Sequence, residues 1–321
     1  KIIEGIEAKD ICQMIKYDNT NLSNFYIQKM NFVKEFLEKE SVSAWLYLAP
    51  ALILLGIFTF YPTIQLLINS FYNMDGMGTK EFIGLNNYKQ LLSDEEFWNT
   101  VKNSFIFIGW SVPLGMTAGL GLALLINNDL KGKGLFRTIF FSPVVTSLVA
   151  AGLIWVWLLN KDYGIINTLI VKFGGQKIPW LVDEKFAMKS VIMMTIWKDA
   201  GYNMILFLAG LNSINASYYE AAEIDGATKW QQFKEITWPL LMPTTLFVLV
   251  IRTIFSFRTF EQIFAMTKGG PTGSTTVFVY YIYRKAFSSF ELGYASAAAI
   301  ILLVMVLLLT LVQFKISKKK D

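Results

Sequence analysis

Ser217-Tyr218-Tyr219-Glu220-Ala221-Ala222-Glu223-Ile224-Asp225-Gly226-Ala227-Thr228-Lys229-Trp230-Gln231-Gln232-Phe233-Lys234-Glu235-Ile236-Thr237-Trp238-Pro239-Leu240-Leu241-Met242-Pro243 is a polar, charged stretch set between two long apolar runs. Its punctuation is that of two short helices rather than of a loose loop. Ser217 with Glu220, and Thr228 with Gln231, have the spacing of reciprocal N-terminal capping boxes. Gly226 stands where the first helix would end on a left-handed residue, and Pro239 reads as the stop of the second. Helices of about two turns are marginal alone in water. A membrane protein that carries such a pair therefore has a docking surface on that side.

The rest of the composition fixes the class. Hydrophobic residues make up 54% of the 321 positions, and the mean hydropathy is +0.44. Apolar runs at about 44–72, 100–126, 135–158, 187–214, 240–265 and 293–314 each approach or exceed the roughly 20 residues that cross about 30 Å of hydrocarbon. The expectation is an all-α, polytopic membrane protein with six transmembrane helices. A large soluble helical core would need polar helix faces, which these runs mostly lack.

The net charge of +5 is no nucleic-acid signal. Part of it sits in the tail Lys315-Ile-Ser-Lys318-Lys319-Lys320, as on an inner membrane surface. Six spans place both termini on one side, and the lysine tail makes that side cytoplasmic. Loop charges divide: Lys131, Lys133 and Arg137 support this orientation, whereas Lys161, Lys172, Lys177, Lys185 and Lys189 fall opposite. Several chemistries are excluded. With no histidine there is no His-based triad, His-metal site or imidazole relay. The lone Cys12 allows neither an internal disulfide nor a Cys-cluster metal site. No G-x-x-x-x-G-K-[ST] phosphate loop is present. No cofactor is implied.

Residues 1–40 stand apart, with seven acidic and six basic side chains and no run long enough to span. Residues 1–29 read as a peripheral extension. Residues 31–40, with Phe32, Val33, Phe36 and Leu37, read as an interfacial helix. The remaining 41–321 form the membrane domain. In the second span Gly115-x-x-x-Gly119 is a close-packing pattern, and Pro143 is expected to kink the third.

Ionisable and polar residues within the spans are costly, at roughly 2.5–3.5 kcal/mol per mid-depth charge, unless paired or facing water. Lys198 and Asp199 lie near the middle of the fourth span, beside Trp197, Tyr202 and Asn203. Arg252 lies near the middle of the fifth, with Arg258 and Glu261 further along. Asp199 and Asn203, four apart, share a face, and Lys198 points elsewhere. Asp199 is expected to pair with Arg252, either as a structural ion pair or as part of a cavity wall.

Glu220-Ala221-Ala222, three residues, Gly226, nine residues, then Ile236-x-Trp238-Pro239 resembles the EAA loop of permeases from binding-protein-dependent ABC importers. Trp238 replaces the Leu usual in that family, which alters one side-chain contact. The resemblance covers roughly 40–315. Phe257-Arg-Thr-Phe260-Glu261-Gln-Ile263-Phe-Ala-Met-Thr267-Lys-Gly269-Gly270-Pro271 resembles the stretch after the fifth span of sugar permeases, where an Asp often stands in place of Glu261. Gly84-Leu-Asn-Asn87-Tyr88, Gly164-Ile-Ile-Asn167 and Trp197-x-x-x-Gly201-Tyr202 are also similar to that group, and the best match is the first permease subunit of carbohydrate importers.

The resemblance implies a division of labour. Two permeases, usually different chains, form the pore in the cytoplasmic membrane; two ATPase subunits bind below; an extracellular solute-binding protein delivers a sugar from above. The loop at about 217–239 would be the coupling-helix pair. Glu220 would meet a basic residue of the ATPase, Ala221 and Ala222 would permit close approach, Gly226 would make the turn, and Ile236 and Pro239 complete the motif. Trp230, Phe233 and Ile236 supply an apolar face. Trp197, Asp199, Tyr202, Asn203, Arg252, Arg258 and Glu261 are the substrate-path candidates. A neutral oligosaccharide is preferred, with glycerol phosphate or another small anion as the alternative that the two arginines leave open. An ion-coupled secondary transporter should show internal repeats, and none is visible. An intramembrane enzyme would have only Asp199 and Glu261 to work with.

Overall fold

The computed structural model describes residues 40–76, 78–127 and 132–317. The expected peripheral region thus lies outside the described residues, apart from Glu40. The chain divides into two compact units between Gln65 and Leu66.

In the first unit, helix α1 (Glu40–Leu55) passes through a widened turn (Gly56–Phe60) into α2 (Tyr61–Asn69), which runs on into the second unit. Tyr47–Asn69 is apolar enough to cross a membrane, and none of its apolar stretch is buried.

In the second unit the elements are β1 (Tyr72–Met74), β2 (Lys80–Phe82), α3 (Asn86–Ser93), α4 (Glu95–Asn127), α5 (Lys133–Val145), α6 (Leu148–Leu158), α7 (Ile165–Lys172) and α8 (Glu184–Asn212). There follow α9 (Ala216–Ile224), α10 (Lys229–Gln232), a widened turn (Phe233–Thr237), α11 (Trp238–Phe257), α12 (Glu261–Met266), α13 (Phe278–Tyr283), another widened turn (Arg284–Ser288) and α14 (Leu292–Ser317). The departures from all-α among the described residues are the antiparallel β1–β2 ribbon, paired Tyr72 to Phe82 and Met74 to Lys80, and an isolated antiparallel bridge between Asp75 and Glu291.

Among the described residues four helices are long and apolar enough to span: Tyr47–Asn69, Glu95–Asn127, Lys229–Phe257 and Leu292–Lys315. A fifth arises if α5 and α6 count as one span, although they meet at 98°. The expected kink at Pro143 is therefore a break, falling at Thr146 and Ser147. The fourth expected span, α8, is 29 residues long but is diluted by Lys198, Asp199 and Asn203.

α8 is the centre of the unit. Its first half packs with α4, α6, α12 and α13 through Phe107, Trp155, Val191, Met194 and Ile263. Its second half packs with α4 and α11 through Met116, Met204, Phe207 and Leu241. Close approach needs small residues. A Cβ at Gly119 would collide with Asn203, and one at Gly201 with the Phe140 carbonyl oxygen. The glycine pattern of the second span is thus a packing device, as small residues are between membrane helices.

Outside the spans, asparagines act as staples. The buried Asn167 donates to the Lys161 and Ile178 carbonyls (3.0 and 2.9 Å) and accepts from Ile178 N and Trp180 Nε1. Asn87 donates to the Ser70 and Tyr72 carbonyls, each at 2.9 Å. Tyr281 and Tyr294 both donate to Asp94 Oδ2 (2.8 and 2.7 Å), pinning α13 and α14 to the start of α4. Burial, reinforced by these hydrogen bonds, pushes the Tyr281 hydroxyl well above the usual phenol range.

Candidate functional site

Two groups of residues demand an account: the short helices near residue 220, and the ionisable side chains inside the helical body.

The short pair is shaped by its own sequence. α9 is capped by Asn215, whose Oδ1 accepts from Ser217 N at 3.0 Å. This corrects the expected Ser217–Glu220 box: the helix starts two residues earlier, because Asn215 already supplies the acceptor. The Glu220 side chain is left exposed, without a hydrogen bond or ion pair to any described residue. α9 ends as expected on Gly226, at φ +75°. Ala227 N bonds the Ala222 carbonyl (2.9 Å) and Gly226 N bonds Glu223 (3.1 Å), the double bond pattern of a left-handed C-cap. Across the turn, Thr228 and Gln231 form the reciprocal capping box.

The second helix does not stop at Pro239. Lys229–Phe257 is one continuous helix, in which the Trp238 N–H reaches back five residues to the Phe233 carbonyl. A proline ring clashes with the carbonyl four residues before it; the wider turn moves that carbonyl aside and lets the helix continue. The same device precedes Pro62, where Tyr61 N–H reaches the Gly56 carbonyl. The Tyr219 hydroxyl bonds Thr237 Oγ1 at 2.9 Å, fastening α9 to this turn. Lys229 bonds Glu223 at 2.7 Å, and that bond with the ammonium charge holds the Glu223 carboxyl below its usual range. Ala221 is exposed and Ala222 half-buried. Ile224 and Trp230 are 86% and 69% exposed, whereas Phe233 and Ile236 are half-buried and Pro239 is exposed.

The ionisable group lies around a cavity of about 420 Å³, walled by the α5–α6 break, α8, the end of α11 and the start of α12. Asp199 and Arg252 form an ion pair across α8 and α11, as expected. Lys198, one residue earlier, points the other way, to the break. Its buried ammonium donates to the carbonyls of Pro143 (2.7 Å), Val144 (3.1 Å) and Thr146 (2.7 Å). An ammonium has three protons to give, and each finds a carbonyl at the end of α5, where helical partners run out; that of Pro143 also accepts from Thr146 Oγ1 at 2.6 Å. Breaking the third span and burying Lys198 are thus one solution: each satisfies the other.

Of the seven substrate-path candidates, Asp199, Tyr202, Arg252, Arg258 and Glu261 line this cavity. Trp197 and Asn203 do not. Trp197 lies against Trp155, with ring centres 5.7 Å apart. Asn203 is buried where Gly115 and Gly119 of α4 let it in. Sharing a face with Asp199 is insufficient, since one turn along α8 the neighbour changes from the cavity to α4.

Ser256, Thr259 and Gln262 were missed, and all three are buried on the cavity wall. Gln262 Oε1 has no hydrogen-bond partner among the described residues. A signal existed: three polar residues spaced by three lie where the fifth apolar run ends. The following loop is tightly held. Asn103 Nδ2 donates to the Gly273 carbonyl at 2.9 Å, and the Tyr280 hydroxyl to Lys268 at 2.8 Å.

The model of the binding-protein-dependent transport system inner membrane component family matches residues 111–321. The chain belongs to this family. Its members are permease subunits of ABC transporters, and they work with a second permease and with separate subunits that hydrolyse ATP. A probable ABC transporter permease of Pyrococcus horikoshii is 37% identical over 269 residues, covering 83% of this chain and 92% of that one. The lactose transport system permease of Rhizobium radiobacter is 36% identical over 285 residues, covering 87% and 95%. The sn-glycerol-3-phosphate transport system permease of Agrobacterium fabrum is 37% identical over 278 residues, covering 86% and 94%. Among solved structures, a bacterial ABC transporter that imports the acidic polysaccharide alginate contains a chain of the same fold. It has a TM-score of 0.78 and 29% identity, and covers 89% of this chain and 98% of its counterpart. In a further structure that transporter is bound to its alginate-pentasaccharide-loaded periplasmic protein.

Proposed function

We propose that this permease forms half of the pore of a sugar importer, with the solute passing the cavity beside Asp199. The observation that carries the sugar reading is the state of that cavity's polar groups. Its buried charges are already matched, Arg252 by Asp199 and Lys198 by three carbonyls. What remains for a solute is a hydrogen-bonding wall: the unpartnered Gln262 Oε1, Ser256, Thr259 and Tyr202. Hydroxyls that both donate and accept suit such a wall, and leaving the Gln262 amide oxygen buried without a donor is costly. The relatives agree with a hydroxyl-rich solute: one moves the neutral sugar lactose and another the acidic polysaccharide alginate.

The anionic alternative rests on Arg258, exposed at the cavity without an ion pair to a described residue, and on the glycerol-phosphate relative. Glu261 beside it offsets that charge, so the neutral solute is favoured.

In the same reading α8 also crosses, bringing the count to six spans, and both termini are cytoplasmic. The α9–α10 pair docks on the ATPase, with unpartnered Glu220 reaching a basic residue there. Ala221, Ala222 and the open surface at Gly226 allow the approach, and Ile224 and Trp230 are covered by the partner. Because Lys229–Phe257 is one helix, the docking end and the cavity end move as a rigid lever. A solute-binding protein would deliver to the opposite face. Uptake by the reconstituted transporter, competed with neutral oligosaccharides and with sugar acids or phosphate esters, tests the substrate class. Competition by neutral sugars, weakened by Gln262→Ala and not by Arg258→Gln, is expected. Competition by anions alone, abolished by Arg258→Gln, would establish the alternative.

A further inference from the structure

A second groove, of about 790 Å³, runs between α4 and α8. The two helices lie side by side in one direction: Lys102 stands with Lys185 and Leu114 with Ile196 along the groove, and Gly119 meets Asn203 beyond it. Lys102, Lys185 and Lys189 gather at the end remote from the α9–α10 pair. None of the three forms an ion pair with a described residue. Glu184 is the one carboxylate on this wall, and it accepts a hydrogen bond from Thr272. From the lysines onward the wall is apolar: Ile106, Trp110 and Leu114 recur every four residues on α4 and face a Met188–Ile196 stripe on α8. Trp110 is 60% exposed.

The occupant that fits is an amphiphile with an anionic head. Three amines and one carboxylate leave a net positive end, and an apolar channel leads away from it. From Lys102 to Leu114 is twelve residues, about 18 Å at about 1.5 Å per residue, close to half of a hydrocarbon core of about 30 Å. The groove is thus one leaflet deep. A transmembrane helix would match the apolar part but would have to bring its own carboxylates to the level of the lysines, whereas an anionic lipid carries its charge at that depth.

We infer that this groove holds an anionic phospholipid, its headgroup among Lys102, Lys185 and Lys189 and one acyl chain along Ile106, Trp110 and Leu114. The lipid braces α8, the helix that carries both Lys198 and Asp199, against α4.

The test uses the complete purified transporter. In native mass spectrometry with added phosphatidylglycerol or phosphatidylcholine, phosphatidylglycerol should be retained selectively. Its affinity should fall roughly fivefold for each lysine replaced in Lys102→Gln, Lys185→Gln and Lys189→Gln. Independently, in proteoliposomes containing chain-brominated phosphatidylglycerol, part of the tryptophan fluorescence should be quenched, and Trp110→Phe should remove that part. Equal retention of both lipids, indifferent to the lysines, would overturn the inference. So would crosslinking of a Trp110→Cys variant to the second permease, because a protein helix would then fill the groove. Should the triple variant fail to assemble, Trp110 quenching in the unaltered transporter decides.

Discussion

The helix pair around Gly226 and the cavity around Asp199 are held together over different distances along the chain. In the pair, Asn215 caps Ser217, Thr228 caps Gln231, and Lys229 meets Glu223 six residues away. At the cavity, Lys198 reaches a carbonyl 55 positions earlier, and Asp199 reaches Arg252 on another helix. The pair is nearly complete as a local structure and lacks only a partner surface. The cavity exists only when α5, α6, α8, α11 and α12 have assembled. A substitution in the pair should therefore act on docking, and one at the cavity on the fold itself.

The substitution with the largest expected effect is Lys198→Met. It takes the ammonium from three carbonyls and leaves those of Val144 and Thr146 without a donor, since Thr146 still donates to Pro143, at about 1–3 kcal/mol for each group left unpaired. Thermal unfolding of the purified transporter should show a loss of several kcal/mol. Unchanged stability would mean that water or a rearranged break takes over, and the cavity would not depend on distant contacts.

Next come Asp199→Ala and Arg252→Ala. Each strands a partly buried charge and should cost about 3–5 kcal/mol. The double variant should be better than the sum by about 0.5–3 kcal/mol. Strict additivity would separate the two residues.

Thr228→Ala should be milder. Loss of this cap costs about 0.5–2 kcal/mol, confined to the pair, so hydrogen exchange should quicken at 228–232 and not in α8. Lys229→Ala is the smallest case, because its pair with Glu223 is exposed and screened. Uptake should be unchanged. The Glu223 carboxyl is held low by Lys229, so the contact is present above the ordinary glutamate range and lost as pH falls through the depressed value. Without Lys229, Glu223 should titrate at higher pH, as read by carboxyl infrared bands of labelled protein.

The same contrast explains what was legible beforehand. Gly226, the Thr228 cap and the apolar runs were readable because each depends on near neighbours and on one period. The cap at Asn215 and the continuation past Pro239 were not. One required weighing two acceptors two residues apart, and the other a widened turn that spacing does not announce. At the cavity, the Asp199–Arg252 pair was readable because two costly charges at similar depth need each other. The role of Lys198 was not, since it rests on carbonyls freed by a break that Pro143 announced only as a kink. That Asn203 and Trp197 lie outside the cavity was not legible, because helical spacing names a face but not the helix that covers it. Gln262 was passed over because attention to charge hides a neutral amide.

ATP-driven solute uptake by the reconstituted transporter carrying Gly226→Asp is the most direct measurement of the central claim. No atom lies near the Cβ that this residue would gain, so the chain's own cost is the left-handed backbone, about 1–2 kcal/mol. The account expects a protein that inserts and keeps its cavity, yet loses uptake because the ATPase no longer seats on the α9–α10 pair. Normal uptake by an inserted Gly226→Asp permease would contradict it and remove this pair from the path between ATP and the pore.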